Sequence, residues 1–470
     1  MDSLLLNQHQ KRNRFIYAVI IPAILLELFI HIIPMILGAV ISMKSVNINT
    51  IADWLNAPFV GFKNYAAILK PGSLQSKQFW ASAATTLKYG VTAKILHFGL
   101  GLWGALVLNR EFKGRGFFRT IFMIPYAVPI FISGISWKFM FQKEWGLINY
   151  ILVDKLHLLA EKPFWLVGDN ALWAVITAQV WRGWSFHFIM ILAGLQTVPK
   201  ELYEAVEIDG GNAWHKFRHV TLVALKPVLT TLLVVNGMKI LNEFETTFVM
   251  LSERPPESAN VMSVNIYDQA FNNWNFGLAM GTDDCGDFTD SYESTHAKGG
   301  KTMKKKSKVG IGKILYKIFF VFSLIVLSTY VLLPLVNMAL ASVKPLEDIQ
   351  IISDSFIPKK FDFGTYSRMW KTVPLLKYIK NTLIVVGIST LLSVTISVFV
   401  GYVLNRFKFR GQKIFGNALI FAQMLPGILL LLPLYMLYMV ITDKTGIQLA
   451  GTYQGLIITY MTFSLPFSIW

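Results

Sequence analysis

The sequence predicts an all-α polytopic membrane protein of about nine transmembrane helices arranged in two homologous halves. The first reason is composition: 54% of the 470 residues are hydrophobic and only 15% are charged, and the mean hydropathy is +0.49, values that soluble domains seldom reach. The second is a succession of apolar runs long enough at about 1.5 Å per residue to cross a ~30 Å hydrocarbon core, with Lys and Arg gathered beside them. The third is an internal repeat. Thr86-Leu87 and Leu108-Asn109-Arg110 recur as Thr382-Leu383 and Leu404-Asn405-Arg406 at one common offset, and GFKNY at 61–65 is echoed by DFGTY at 362–366. A net charge of +17 alone would suit nucleic acid, but the basic residues cluster next to apolar spans as the positive-inside rule expects, so nucleic acid is not a partner. One cysteine, Cys285, leaves no disulfide framework and no cysteine-based metal site, and no metal site is expected.

Taken in order, Lys11, Arg12 and Arg14 precede an apolar run at 15–43 that is too long for a signal peptide and places the N-terminus inside. Glu27 and His31 lie four apart on one face of this run, where a mutually satisfied structural pair is favoured over a functional one. Residues 44–78 are turn-rich and lie outside. The span at 81–108 is interrupted by Lys88 and Lys94, which must snorkel or face the bundle interior. Gly99, Gly101 and Gly104 spell GxGxxG there, but without a preceding strand they are better explained by helix packing. Arg110, Lys113, Arg115 and Arg119 form a basic inside loop, 117–140 recrosses with Pro125 and Pro129 inside it, and 141–170 is a second outer loop. The fourth span, 171–195, contains Trp181-Arg182-Gly183-Trp184. Its aromatic faces and charge suit a carbohydrate path, and equally suit tryptophans at the interface with an arginine packed on backbone carbonyls. The fifth span runs over 221–241, and Asn236 within it joins Trp181, Arg182 and Trp184 as a substrate-path candidate.

Between the fourth and fifth spans lies a polar insert, 200–227, which reads as two short helices meeting at a corner. Residues 201–208 form the first, Asp209-Gly210-Gly211 breaks it, and Asn212 can cap the second, on which Trp214, Phe217 and Val220 resume at helical spacing. Glu204-Ala205, Asp209-Gly210 and Phe217 fall in the register of the cytoplasmic EAA loop of binding-protein-dependent ABC importers, and the segment resembles that loop. The resemblance implies a type I ABC importer permease bundle in which this corner docks in a cleft of an ATP-hydrolysing subunit. Glu204 would be the polar contact, Ala205 part of the same docking face, Asp209 and Gly210 the bend, and Phe217 the hydrophobic anchor. Val206, Gly211 and Val223 depart from the usual pattern, which bears on fine docking geometry alone.

The first permease domain is expected to cover 1–280. FGLAM at 276–280 opens like a sixth span and then turns into an acidic stretch, where Asp283, Asp284, Asp287, Asp290 and Glu293 would each oppose insertion by about 2.5 to 3.5 kcal/mol near a helix centre. We read 281–302 as a frame-shifted translation of a lost sixth helix, with a natural disordered linker as the alternative. GGKT at 299–302 lacks the first glycine and the leading strand of a phosphate-binding loop, so ATP binding by this chain is not expected. From Met303 a basic stretch leads into spans at 318–340, around 382–406, at 415–441 and from 453. This second domain, 303–470, resembles the partner permease of the maltose-type carbohydrate importers and is expected to stop before its own coupling loop. Five crossings from an inside start leave the linker outside, whereas Lys304, Lys305, Lys306 and Lys308 demand an inside start for the second half.

The resemblance implies a multi-pass permease of a bacterial or archaeal cytoplasmic membrane, moving a carbohydrate inward by alternating access and performing no covalent chemistry. It binds no cofactor itself; ATP and Mg belong to the partner ATPase. The implied partners are ABC ATPase subunits, an extracytoplasmic sugar-binding protein, a second permease subunit and the lipid bilayer. A polytopic membrane enzyme such as a glycosyltransferase is the alternative class, and would need convergent carboxylates or a metal cluster at one face. A non-functional fused permease product is the other alternative.

Overall fold

A computed structural model describes residues 2–252, 254–290, 312–345, 347–348, 357–358, 360–424 and 427–469. The described residues are helical throughout apart from loops and two isolated bridges, Lys44 with Phe59 and Asn47 with Asn275. The first span is α1 (Asp2–Glu27) continued through a π-helical turn, Leu28–Ile32, into α2 (Ile33–Ser42). This bulge falls where Glu27 and His31 lie together, Oε2 to Nδ1 at 2.9 Å and both side chains buried; they are close as expected, but neither group is satisfied by a well-aligned hydrogen bond.

A short α3 (Lys63–Leu69) precedes α4 (Leu74–Leu108), and α5 (Arg115–Ala127) precedes α6 (Ile130–Met140). The third span is therefore not one helix. The axis turns by 93° between α5 and α6, because Pro129 forces Val128 into extended backbone and cannot donate to the preceding turn. After α7 (Leu147–Asn149) come α8 (Asn170–Gln196), α9 (Lys200–Ile208), α10 (Ala213–Lys216), α11 (Leu222–Leu241), α12 (Glu245–Leu251), α13 (Met262–Tyr267) and α14 (Phe276–Asp290). The second half supplies α15 (Gly312–Ser342), α16 (Gly364–Thr372), α17 (Leu375–Arg406), α18 (Gln412–Met424), α19 (Gly427–Thr445) and α20 (Tyr453–Ile469). By length and apolarity alone five described helices can span a membrane, or six with the bent pair. The 27-residue α8 is long enough, but Gln179, Arg182 and His187 lower its hydropathy, and most of its residues, Gln179 and His187 among them, are buried.

The repeat is visible in the backbone. Gly114 (φ 92) precedes α5 and Gly411 (φ 94) precedes α18, each in the left-handed region that glycine enters without strain. Arg115 Nε donates to Leu108 O at 2.7 Å, and Gln412 Nε2 donates to Leu404 O at 2.6 Å. Both copies thus tie the carbonyl end of the long helix to the start of the next.

The chain forms two compact units that do not follow the two halves. One comprises Met1–Lys77, Ile266–Asp287 and Tyr366–Trp470; the other comprises Gln78–Asn265 and Phe288–Thr365. In the first unit α1 packs on α17 and α20 of the second half, with Ile16, Ile20 and Val403 as a buried cluster. In the second unit α15 packs on α5 and α6 and buries Leu324, Leu327 and Val331 along one stripe. Each half has exchanged its first helix with the other.

The sixth helix persists further than its sequence predicts. Gly277 N donates to Val46 O in the outer loop, and a Cβ at Gly38 would lie 3.5 Å from Met280, so α14 runs back along α2 from its outer end. The helix does not stop at 281: Thr282 is buried, and Asp284 accepts a 2.5 Å hydrogen bond from the Tyr65 hydroxyl. Burial, followed by the Asp284 hydrogen bond, pushes the Tyr65 phenol up to about 12, which keeps it a donor throughout the physiological range. This continuation turns the chain inward after residue 276 and eases the conflict with an inside start for the second half. Residues 291–311, including GGKT and the lysine cluster, lie outside the described residues.

Candidate functional site

The expected corner is present at 200–227. Helix α9 ends at Ile208, Gly210 takes φ +74, and the amide of Gly211 returns to Val206 O at 2.7 Å. A Cβ at Gly211 would overlap Val206, so the departure from alanine at this position accompanies a tighter turn. Asn212 caps α10 as expected: its side chain accepts from His215 N at 3.1 Å, and its own N–H donates to His215 Nδ1 at 3.3 Å. One expectation changes, because the second helix is not a separate element. Residues of α10 pass through a π-helical turn, Phe217–Thr221, directly into α11.

The corner is fastened at two points. The Tyr203 hydroxyl meets Thr221 Oγ1 at 3.1 Å, and Lys216 pairs with Glu207 across the bend. Its outer surface carries exposed apolar groups, Leu202, Ile208 (86% exposed) and Trp214, the last 5.7 Å from the half-buried Phe217 ring. Glu204, Ala205, Asp209 and Gly210 are exposed beside them. A rigid polar bend that leaves large apolar side chains in water is a surface made to be covered.

The residues named for a substrate path are placed differently from one another. Trp181 and Trp184 are wholly buried in the second unit. Trp181 Nε1 donates to Tyr330 O at 3.0 Å, and the Trp184 ring packs on Phe122, Phe188 and Tyr330. In this conformation both act as packing groups that hold α15. Arg182 is half-buried; its Nε donates to Val128 O at 3.2 Å at the break between α5 and α6, and its guanidinium lies 5.9 Å from the Tyr126 ring centre. Asn236 sits on α11, and its side chain lies outside the described residues.

Three polar features have only weak signals in the sequence. His97 of α4 and His187 of α8 are buried with ring centres 5.0 Å apart. Gly101 and Gly104 allow this approach: a Cβ at Gly101 would lie 2.7 Å from His187 Cβ, and one at Gly104 would lie 2.9 Å from the Trp184 ring, so their role is helix packing. Lys94 turns inward, donating to Leu232 O at 2.5 Å, as one of its two expected alternatives requires. Beyond the end of α11, buried Glu243 accepts from Thr246 N at 2.8 Å, Thr246 Oγ1 at 2.7 Å and Gln179 Nε2 at 3.1 Å. Burial first, and then the neighbouring Glu245, raise the Glu243 carboxyl to about 7, against the hydrogen bonds from Thr246 and the charge of Arg182. The folded state therefore holds a proton that the unfolded chain releases above about pH 4.5, so stability falls as pH rises towards 7 and levels off beyond. Thermal unfolding of Glu243→Gln across this range should lose that slope; an unchanged slope would assign it to another group.

Residues 97–281 match the family model described as binding-protein-dependent transport system inner membrane component. The trehalose/maltose transport system permease protein MalF of Thermococcus litoralis is 36% identical over 222 residues, 47% of this chain and 71% of that protein. The chain belongs to the binding-protein-dependent transport permeases. The inner membrane ABC transporter permease protein YcjO of Escherichia coli is 35% identical to this permease over 219 residues, 46% of this chain and 71% of that protein. A crystal structure of a bacterial ABC transporter involved in alginate import has a TM-score of 0.51 at 22% identity, covering 61% of this chain and 94% of that chain, a likeness of fold. Membership makes the permease a multi-pass transport subunit of the cytoplasmic membrane rather than an enzyme, and implies an ATPase and a substrate-binding protein as partners. The matched segment closes at 281, where the sequence turns acidic.

Proposed function

We propose that this permease carries a carbohydrate inward by alternating access, driven by ATP hydrolysis on separate subunits that dock at 200–227. The observation that carries the docking site is the fastened corner with exposed Leu202, Ile208 and Trp214 beside Glu204 and Ala205. Glu204 would make the polar contact, Asp209 and Gly210 the bend, and Phe217 the apolar anchor behind Trp214. ATP and Mg would be held by the ATPase, and an external sugar-binding protein would load substrate from outside. The carbohydrate class rests on the trehalose/maltose permease among the relatives. Within the bundle, Trp181, Arg182, Trp184 and Asn236 are the path candidates; Arg182 is half-buried, and Trp181 and Trp184 pack against α15 in this conformation.

The chain further reads as a first permease subunit joined to a partner subunit through a shifted frame. Closure of the family match at 281 supports this. Sequencing the coding DNA tests it: the next frame from 282 should encode an apolar run, and its absence would sink the idea.

To test transport, the full chain is reconstituted in proteoliposomes with its ATPase and binding protein and offered a panel of disaccharides and maltodextrins. Sugar-stimulated ATP hydrolysis is expected and should fall roughly tenfold in Glu204→Ala, the scale of a lost charge-assisted contact, while uptake by the joined chain should be poor; robust uptake would overturn the joined-subunit reading. ATPase activity insensitive to every sugar would remove the carbohydrate reading while leaving the docking site testable by co-purification.

A further inference from the structure

We infer that the second unit carries a site for one acidic phospholipid of the cytoplasmic leaflet, with its phosphate at Arg115 and Arg119 and an acyl chain in the groove between α5 and α15. The groove has a volume of about 510 Å³ and is lined by Phe118 and by α15 from Val321 through Ile325, Ser328 and Leu332 to Val336. From 321 to 336 the helix rises about 22 Å, enough for the roughly 15 Å that one leaflet contributes to a ~30 Å core. Its walls are apolar except for Ser328 and Thr329, and the Ser328 Oγ has no hydrogen-bond partner.

The cytoplasmic end of the groove is identified by aromatic contacts. Phe112, in the basic loop before α5, lies 5.9 Å from Phe118 and 5.2 Å from Phe320 near the start of α15. On the same first turns of α5 stand Arg115 and Arg119, one helical turn apart and flanking Phe118 in sequence. Arg115 donates to Leu108 O and Asn109 O, the carbonyl end of α4. With its amide oriented to satisfy its neighbours, Gln196 offers one oxygen to both guanidinium groups. Two guanidiniums thus converge on a single neutral oxygen. Among the described residues no carboxylate lies within ion-pair distance of either, and the Arg119 Nε is buried without a partner.

A pair of arginines with spare donors and no counter-ion fits the oxygens of a phosphate, which can be read by both forks at once. A free phosphate would satisfy the charges and leave the groove empty. A phospholipid satisfies both, and the inner leaflet supplies acidic headgroups at this depth. Lys113 is exposed in the same loop and adds to the local potential.

The test uses the full chain purified in detergent with equal phosphatidylglycerol and phosphatidylethanolamine, and counts retained lipids by native mass spectrometry. Retention of phosphatidylglycerol in roughly tenfold preference is expected, the scale of one charge-assisted contact. Arg119→Gln should abolish the preference, Arg119→Lys should keep part of it, and Thr329→Trp at an exposed groove position should reduce retention of both lipids. The proposal is overturned if the native chain retains both lipids equally, or if the preference survives Arg119→Gln. Displacement of phosphatidylglycerol by millimolar inorganic phosphate would also overturn it, because the site would then read a free anion.

Discussion

Gly210→Pro should abolish co-purification of the cognate ATPase while leaving the chain inserted and folded. Proline holds φ near −65°, whereas Gly210 sits at +74, and its amide donates to Glu207 O at 2.9 Å, a bond that proline cannot make. The bend between α9 and α10 must then open, which separates Leu202 and Ile208 on one arm from Trp214 on the other. Nothing lies within 4 Å of a Cβ built at Gly210, so the effect is one of backbone alone and should not spread into the bundle. Gly210→Ala, which pays about 1 kcal/mol of left-handed strain, should weaken binding only several-fold, and Gly210→Asn should come close to the native chain. Equal ATPase recovery from all three variants would show that docking does not depend on the corner.

The second large effect is expected inside the bundle. A Cβ at Gly183 would overlap the His97 ring, while His187 from the same helix presses on Gly101 of the opposite one. Each helix therefore offers a glycine to the other's histidine, and neither can yield without moving the reciprocal contact. Gly183→Val should destabilise the permease by about 3 kcal/mol, the upper range for overpacking a close contact, and lower its unfolding temperature in detergent. Gly99→Ala, on the same helix as Gly101 but with open space around it, should be neutral or slightly stabilising. If the two changes have equal effects, the crossing of α4 and α8 has slack that the geometry does not reveal.

Much of this was readable along the chain because it is local. The Asn212 cap, the positive φ at Gly210 and the Glu27 to His31 pair each depend on residues within four positions of one another. The repeat was readable because motif and helix boundaries recur together, down to Gly114 and Gly411. What escaped is long-range. Apolar periodicity says that α15 has a buried stripe but not that its cover is α5 and α6, and a lone histidine in a span does not announce the glycine that receives it. The acidic run after 280 was read by composition as an end of helix, whereas the Tyr65 hydroxyl, itself hydrogen-bonded to Ser42, donates to Asp284 as α14 continues. The two tryptophans in WRGW carry the chemistry of sugar stacking and of packing alike, and the sequence does not announce that Trp181 reaches the backbone carbonyl of Tyr330 while Trp184 packs among Phe122, Phe188 and Tyr330.

The helix exchange has a consequence for how the molecule comes into being. Ile16 and Ile20 emerge from the ribosome long before Val403, the residue that buries them. Until then α1 must wait in the lipid with its intended neighbour unsynthesised, and the long-range closure that completes each unit falls late in biogenesis. Interruption of synthesis between the halves would leave two unfinished pieces rather than one finished and one missing. Quality-control proteases should therefore find the permease most vulnerable during translation, and stabilising α1 against α17 should raise its yield more than an equal gain anywhere in the middle of the chain.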